Sequence, residues 1–128
     1  MDLSKLRYAK SHEWSDLQGE VCVVGITQFA VDQLTDVTNV DLPKVGKKLD
    51  AGKPFGEIES VKAVFDLYAP ITGEVIEVNP AIAADPGVIN KDCFGKGWMI
   101  KIKPAAGANL DHLMTREQYE LQLAEEGH

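Results

Sequence analysis

The chain has 128 residues, 45% hydrophobic and 26% charged, with a formal net charge of −7. These values describe one soluble globular domain, residues 1–128, able to bury about two thirds of its unfolded surface without covalent staples. The acidic balance excludes a nucleic-acid binder, because nothing would neutralise phosphates, and no apolar run reaches membrane-spanning length.

The opening "MDLSKLRYAK" has neither an apolar secretory core nor an Arg/Ser-rich amphipathic pattern. A cytoplasmic location is therefore expected, and a mitochondrial matrix location would need a transit peptide ahead of this segment. Two cysteines, Cys22 and Cys93, lie far apart and fit a reducing compartment rather than a disulfide framework.

Residues 19–26, "GEVCVVGI", predict a strand buried on both faces. Thr27 then caps a short helix whose stripe is Ile26, Phe29, Ala30 and Leu34. "DVTNVDLPKVGKKL" returns to strand character, punctuated by Pro43 and Gly46. "KPFGEIES" and "KAVFDLYAP" read as two strands joined tightly at Val61–Lys62, without the usual Asn-Gly or Asp-Gly turn. "PITGEVIEVNP" is a further turn and strand, ended by Pro80, and "AIAADPGVIN" is loop or short helix. "GWMIKIKP" is a strand. The last element, about 115–126, is a helix with Thr115 and Gln118 as a capping box and Tyr119 and Leu123 on one face. Its acidic residues read as a solvated face. "GEVCVV" at 19–24 echoes "GEVIEV" at 73–78, through pseudo-symmetry or coincidence. Many short strands with Gly/Pro turns predict a small β-sandwich or barrel with helices at its periphery.

Few residues offer chemistry. The chain lacks a nucleophile elbow, a phosphate-binding glycine loop and a Cys-x-x-Cys pair. His12, His112 and His128 have no metal-ligand spacing and read as surface or satisfied histidines, so no metal site is expected. Cys93 has no base partner and reads as inert. Trp14 and Trp98 read as core or cleft anchors. Lys62 stands out, at the centre of an otherwise apolar hairpin. It could be a strand lysine that blocks sheet aggregation, a Schiff-base lysine, or an exposed handle for acylation between the small and acidic neighbours Glu59, Ser60 and Ala63. On local sequence alone the first reading ranks highest.

Six segments lift the third reading above the others. "SHEW" at 11–14, "VGITQFAVDQL" at 24–34, "VDLPKVG" at 40–46, "ESVKA" at 59–63, "DLYAPITGEVIEVN" at 66–79 and "GKGWMIKI" at 95–102 resemble, in order and nearly end to end, the H-protein family of the glycine cleavage system. The resemblance implies a mainly β, barrel-sandwich hybrid fold (lipoyl/biotinyl-carrier-like) of two small sheets, with short peripheral helices and a C-terminal helix. It places a lipoyl hairpin at about 55–69 and lipoate in amide linkage on Lys62. It implies a non-catalytic lipoyl carrier with no catalytic residue of its own. Such a carrier takes the aminomethyl group of glycine from a glycine decarboxylase, the P protein, to an aminomethyltransferase, the T protein. Its dithiol goes to a dihydrolipoyl dehydrogenase, the L protein, and lipoylating enzymes load it. A lysine with a long acyl arm is a tether that raises effective concentration at several sites in turn.

The same resemblance puts Glu13 at the position facing a parked arm, with Ser11 adding a hydrogen bond and Asp66 on the strand leaving the hairpin. Moving the lysine by one position within "SVKA" is expected to turn it to the other strand face. Leu34-Thr35-Asp36 stands where the family usually has Leu-Gly-Asp, and Asp92-Cys93-Phe94-Gly95 where it has Asp-Pro-Tyr-Gly. Both departures lie outside the hairpin and bear on partners. The alternative is therefore an H-like carrier of lipoate relay and biosynthesis or of sulfur oxidation. The competing class is a stand-alone enzyme using Lys62 or Cys93.

Overall fold

The structure, a computed structural model, describes residues 3–126; His128 lies outside them. After a short 3-10 turn at Leu3–Lys5, the elements are β1 (Arg7–Tyr8), β2 (Glu13–Gln18), β3 (Val21–Ile26), α1 (Gln28–Leu34), β4 (Val37–Asp41), β5 (Lys48–Leu49) and β6 (Pro54–Ser60). Then follow β7 (Val64–Tyr68), β8 (Gly73–Val78), α2 (Pro80–Ala84), α3 (Val88–Lys91), β9 (Ile100–Pro104) and α4 (Arg116–Glu126).

The strands form two antiparallel sheets, one in the order β1-β2-β3-β9-β8-β5 and one in the order β4-β6-β7. This is the mainly β, two-sheet architecture with short helices that the sequence predicts. The main core fills the space between the sheets. Cys22, Val24 and Ile26 of β3 and Ile100 and Ile102 of β9 meet Phe55 and Ile58 of β6 and Leu67 of β7. β3 is buried along nearly its whole length, as its unbroken β-branched run predicts. No helix among the described residues is long and apolar enough to cross a membrane.

Thr27 caps α1 by accepting the Ala30 amide, and Val31 and Leu34 are its buried positions. Pro80 does more than end β8: it opens α2 behind the Asn79 cap, where a missing N–H is harmless. β3 and β8, which carry the repeated Gly-Glu-Val, both flank β9: the equivalent residues Val24 and Val78 both oppose Ile100, and Val23 and Glu77 both oppose Lys101. Ahead of the bulge in β8 the register differs by one residue, with Cys22 and Val75 both opposite Ile102.

β1 and β2 have no counterpart in the sequence reading. β1 is two residues long, and β2 buries Glu13, Trp14 and Ser15 in succession, so neither alternates. The C-terminal helix also differs from a merely solvated face. Its capping box forms, with the Thr115 and Gln118 side chains each accepting the other's amide. Tyr119 is fully buried and stacks on Tyr8 at 4.6 Å between centroids. With Leu6, Trp14 and Val23 these rings make a second core, against which Leu123 packs.

Candidate functional site

Lys62 occupies the turn between β6 and β7. Glu59 pairs with Val64, and the Ser60 amide donates to the Ala63 carbonyl at 2.9 Å, leaving Val61 and Lys62 as the loop. The Ser60 hydroxyl accepts the amides of Lys62 and Ala63, both at 3.1 Å. A side-chain oxygen thus closes the turn where a backbone carbonyl usually would. Among the described non-glycine residues only His12 and Thr35 have positive φ, so this is not the primed turn that Asn-Gly would supply. Lys62 is exposed, flanked by exposed Val61 and Val64. It lies on no strand, which removes the sheet-protecting role. It also changes the expectation for a shifted lysine: a one-residue move alters the place in the turn, not the strand face.

Beside the hairpin lies a cavity of about 480 Å³. Ile26, Phe29, Ala30 and Leu34, the predicted helix stripe, form one wall; Ile58, Phe65 and Leu67 of the hairpin form the other. Phe29 and Ala30 are only half-buried, because the stripe faces this cavity as well as the core. Ser11, Glu13 and Asp66 all line the same cavity. Lys62 does not line it, but Phe65 is three residues along the chain, a reach of ~10 Å.

Glu13 is 1% exposed. It accepts the Ser11 hydroxyl and, through Oε2, the Tyr68 amide at 3.2 Å. Burial pushes its carboxyl above the usual range, and the Ser11 and Tyr68 bonds restrain that rise. Asp66, by contrast, is exposed at the rim.

His12 and Glu126 also line the cavity, and the sequence reading assigned them no part in it. His12 Nδ1 meets the Tyr119 hydroxyl at 2.8 Å, and Nε2 meets Glu126 at 3.1 Å. The Tyr119 hydroxyl also meets Thr27 Oγ1 at 2.6 Å. A neutral ring satisfies every partner: Thr27 donates to Tyr119, Tyr119 to Nδ1, and Nε2–H to Glu126. Burial lowers the His12 pKa, which favours that neutral form, and Glu126 opposes the shift. The sequence signal was adjacency, since His12 directly precedes Glu13.

The remaining candidates are structural. Cys93 is buried, its thiol is pushed up to about 11 chiefly by burial, and it donates to Gln28 at 3.6 Å. Trp14 is fully buried and donates to the Cys93 carbonyl at 3.0 Å. His112 bonds the Pro70 carbonyl at 2.9 Å. Among the described residues no three His, Cys, Asp or Glu side chains could hold a metal ion.

A lysine presented on a locked turn, beside a receptacle with apolar walls and a buried carboxylate, is the geometry of a carrier. Residues 6–126 match the profile of the glycine cleavage H-protein family. The glycine cleavage system H protein of Bacteroides fragilis is 49% identical over 114 residues, covering 89% of this chain and 90% of its own. That of Carboxydothermus hydrogenoformans is 47% identical, covering 95% and 94%. The crystal structure of a glycine cleavage system H protein from Mycobacterium marinum superposes with a TM-score of 0.85 at 36% identity, covering 98% of each chain. The chain belongs to the glycine cleavage H-protein family.

Proposed function

We propose that Lys62 carries lipoate in amide linkage and that the whole chain works as one non-catalytic carrier in the cytoplasm. It takes the aminomethyl group of glycine from the P protein to the T protein and presents its dithiol to the L protein. The observation that carries this reading is the exposed Lys62 on the Ser60-locked turn of a chain in this family.

The residues fit such a group. The Lys62 side chain is exposed to a lipoylating enzyme, and the neighbouring cavity offers apolar walls to an acyl arm. When attached, lipoate supplies the sulfur pair that accepts and releases the carried fragment. The protein's own part is positioning and shelter. Ile26, Phe29, Ile58 and Phe65 exclude water from the arm. The loaded fragment is a cation, and Glu13 is the buried carboxylate that meets it. Ser11 and the Tyr68 amide hold that carboxylate in place. The cation and the buried carboxylate stabilise each other, because each relieves the other's desolvation. Asp66, at the rim, adds a second negative charge at the entrance.

Intact mass after co-expression with a lipoylating enzyme tests the assignment, with peptide mapping to locate the modification. The expected result is one lipoyl group on Lys62 and none on Lys62→Arg. Lipoyl mass on another lysine, or an unmodified Lys62, overturns it.

A further inference from the structure

We infer that Asn90 is a positioning residue for the lysine turn. It lies about thirty residues beyond Lys62 in sequence and acts through the segment Thr35–Val37. This rests on the reading of Lys62 as the acylated residue.

The Asn90 side chain closes on both sides of Asp36. Its Nδ2 donates to the Thr35 carbonyl, and its Oδ1 accepts the Val37 amide at 3.0 Å. The residue between them, Asp36, offers its carbonyl to the Val61 amide at 3.3 Å. Val61 is the residue before Lys62. Its amide points away from the hairpin and has this one acceptor, whereas the Lys62 and Ala63 amides are taken by Ser60. The turn is therefore held from two sides, by Ser60 within the hairpin and by Asp36 from the neighbouring segment.

That segment does not hold itself. Thr35 ends α1 at φ 62° and ψ −128°, a region that a β-branched residue occupies only at a cost in free energy. Its amide still bonds Val31, and its hydroxyl bonds the Leu34 carbonyl. Beyond it, β4 meets β6 through an irregular register, with Val37 opposite Ser60 and a bulge before Asn39. A strained residue followed by a bulge would shift without a brace. Asn90 supplies the brace from α3, and Ile89 beside it is fully buried in the main core. A line of contacts thus runs from the core through Ile89 and Asn90 to Asp36, Val61 and Lys62.

A turn fixed before the lipoylating enzyme arrives loses less entropy on binding. The brace should therefore appear in recognition rather than in chemistry. The experiment uses the full chain as substrate for an ATP-dependent lipoate ligase, with free lipoate. Asn90→Ala is expected to raise the KM for the carrier about three- to tenfold with kcat little changed, as loss of preorganisation would. Amide exchange at Val61 should quicken in the same variant. Thr35→Gly/Asn90→Ala should recover most of the KM, because glycine holds the segment without strain. A control such as Ile82→Val, matched for its loss in melting temperature, should leave KM and Val61 exchange unmoved.

An unchanged KM in Asn90→Ala, an unchanged Val61 exchange rate, or an equal rise in KM in the control would each overturn the inference alone. A wild-type Lys62 that the ligase never acylates overturns the lipoyl assignment and this inference together.

Discussion

Glu13 on β2 accepts the Tyr68 amide of β7 at 3.2 Å, so a buried carboxyl group that lines the cavity ties the two sheets together. Burial raises its pKa, so the folded state holds the Glu13 proton more tightly than the unfolded chain does. The contribution of this group to stability must then fall as pH rises from the ordinary carboxyl range, about 4.3, through the raised folded value. Glu13→Gln has no such titration. The melting temperature of the variant, relative to wild type, is expected to climb between acid and neutral pH. Thermal unfolding across that window checks it, and a difference that does not vary with pH would show that Glu13 does not titrate this way.

Shelter predicts a second effect of the same residue. With lipoylation confirmed by mass, loaded Glu13→Ala is expected to release ammonia and formaldehyde about tenfold faster than wild type without the T protein, the effect of losing a buried opposite charge. Asp66→Ala should change release only about twofold, since exposed pairs contribute little. Equal rates for wild type and both variants would make the two carboxylates bystanders.

Ser60→Ala removes the acceptor of two turn amides. The expected loss is about 1–2 kcal/mol in chemical denaturation, with slower lipoylation of Lys62. Exchanging Val61 and Lys62 keeps composition and charge but moves the amine to the other loop position. That variant is expected to fold and to stay unmodified after exposure to the lipoylating enzyme. Normal modification would mean that the enzyme does not read the turn.

Thr35→Gly is expected to stabilise the protein by about 1 kcal/mol, the relief of a strained φ less the added freedom of glycine in the unfolded chain. Urea unfolding measures it. A destabilised variant would mean that the Thr35 hydroxyl bond to Leu34 outweighs the strain.

Local patterns carried much of the fold. β3, the Thr27 cap, the 53–70 hairpin and the capping box on Thr115 were legible because each rests on side-chain period or on chemistry within four residues. Lys62 was legible as an anomaly, a cation at the tip of an apolar hairpin, and the family resemblance supplied a role for it. Other features required distant segments to meet. By local pattern Glu13 reads as one of 20 acidic residues and only the family resemblance singles it out; its burial appears only where β2 packs beside β7. His12 gains its role only when α4 brings Tyr119 and Glu126 to it from more than a hundred residues away. Ser60 looked like a small neutral neighbour, yet the turn hangs on its hydroxyl, because two amides with no carbonyl to meet must find an acceptor. Periodicity and capping are properties of neighbours in the chain and can be read there. Burial, and the hydrogen bonds that burial makes obligatory, belong to residues that become neighbours only once the two sheets close on each other.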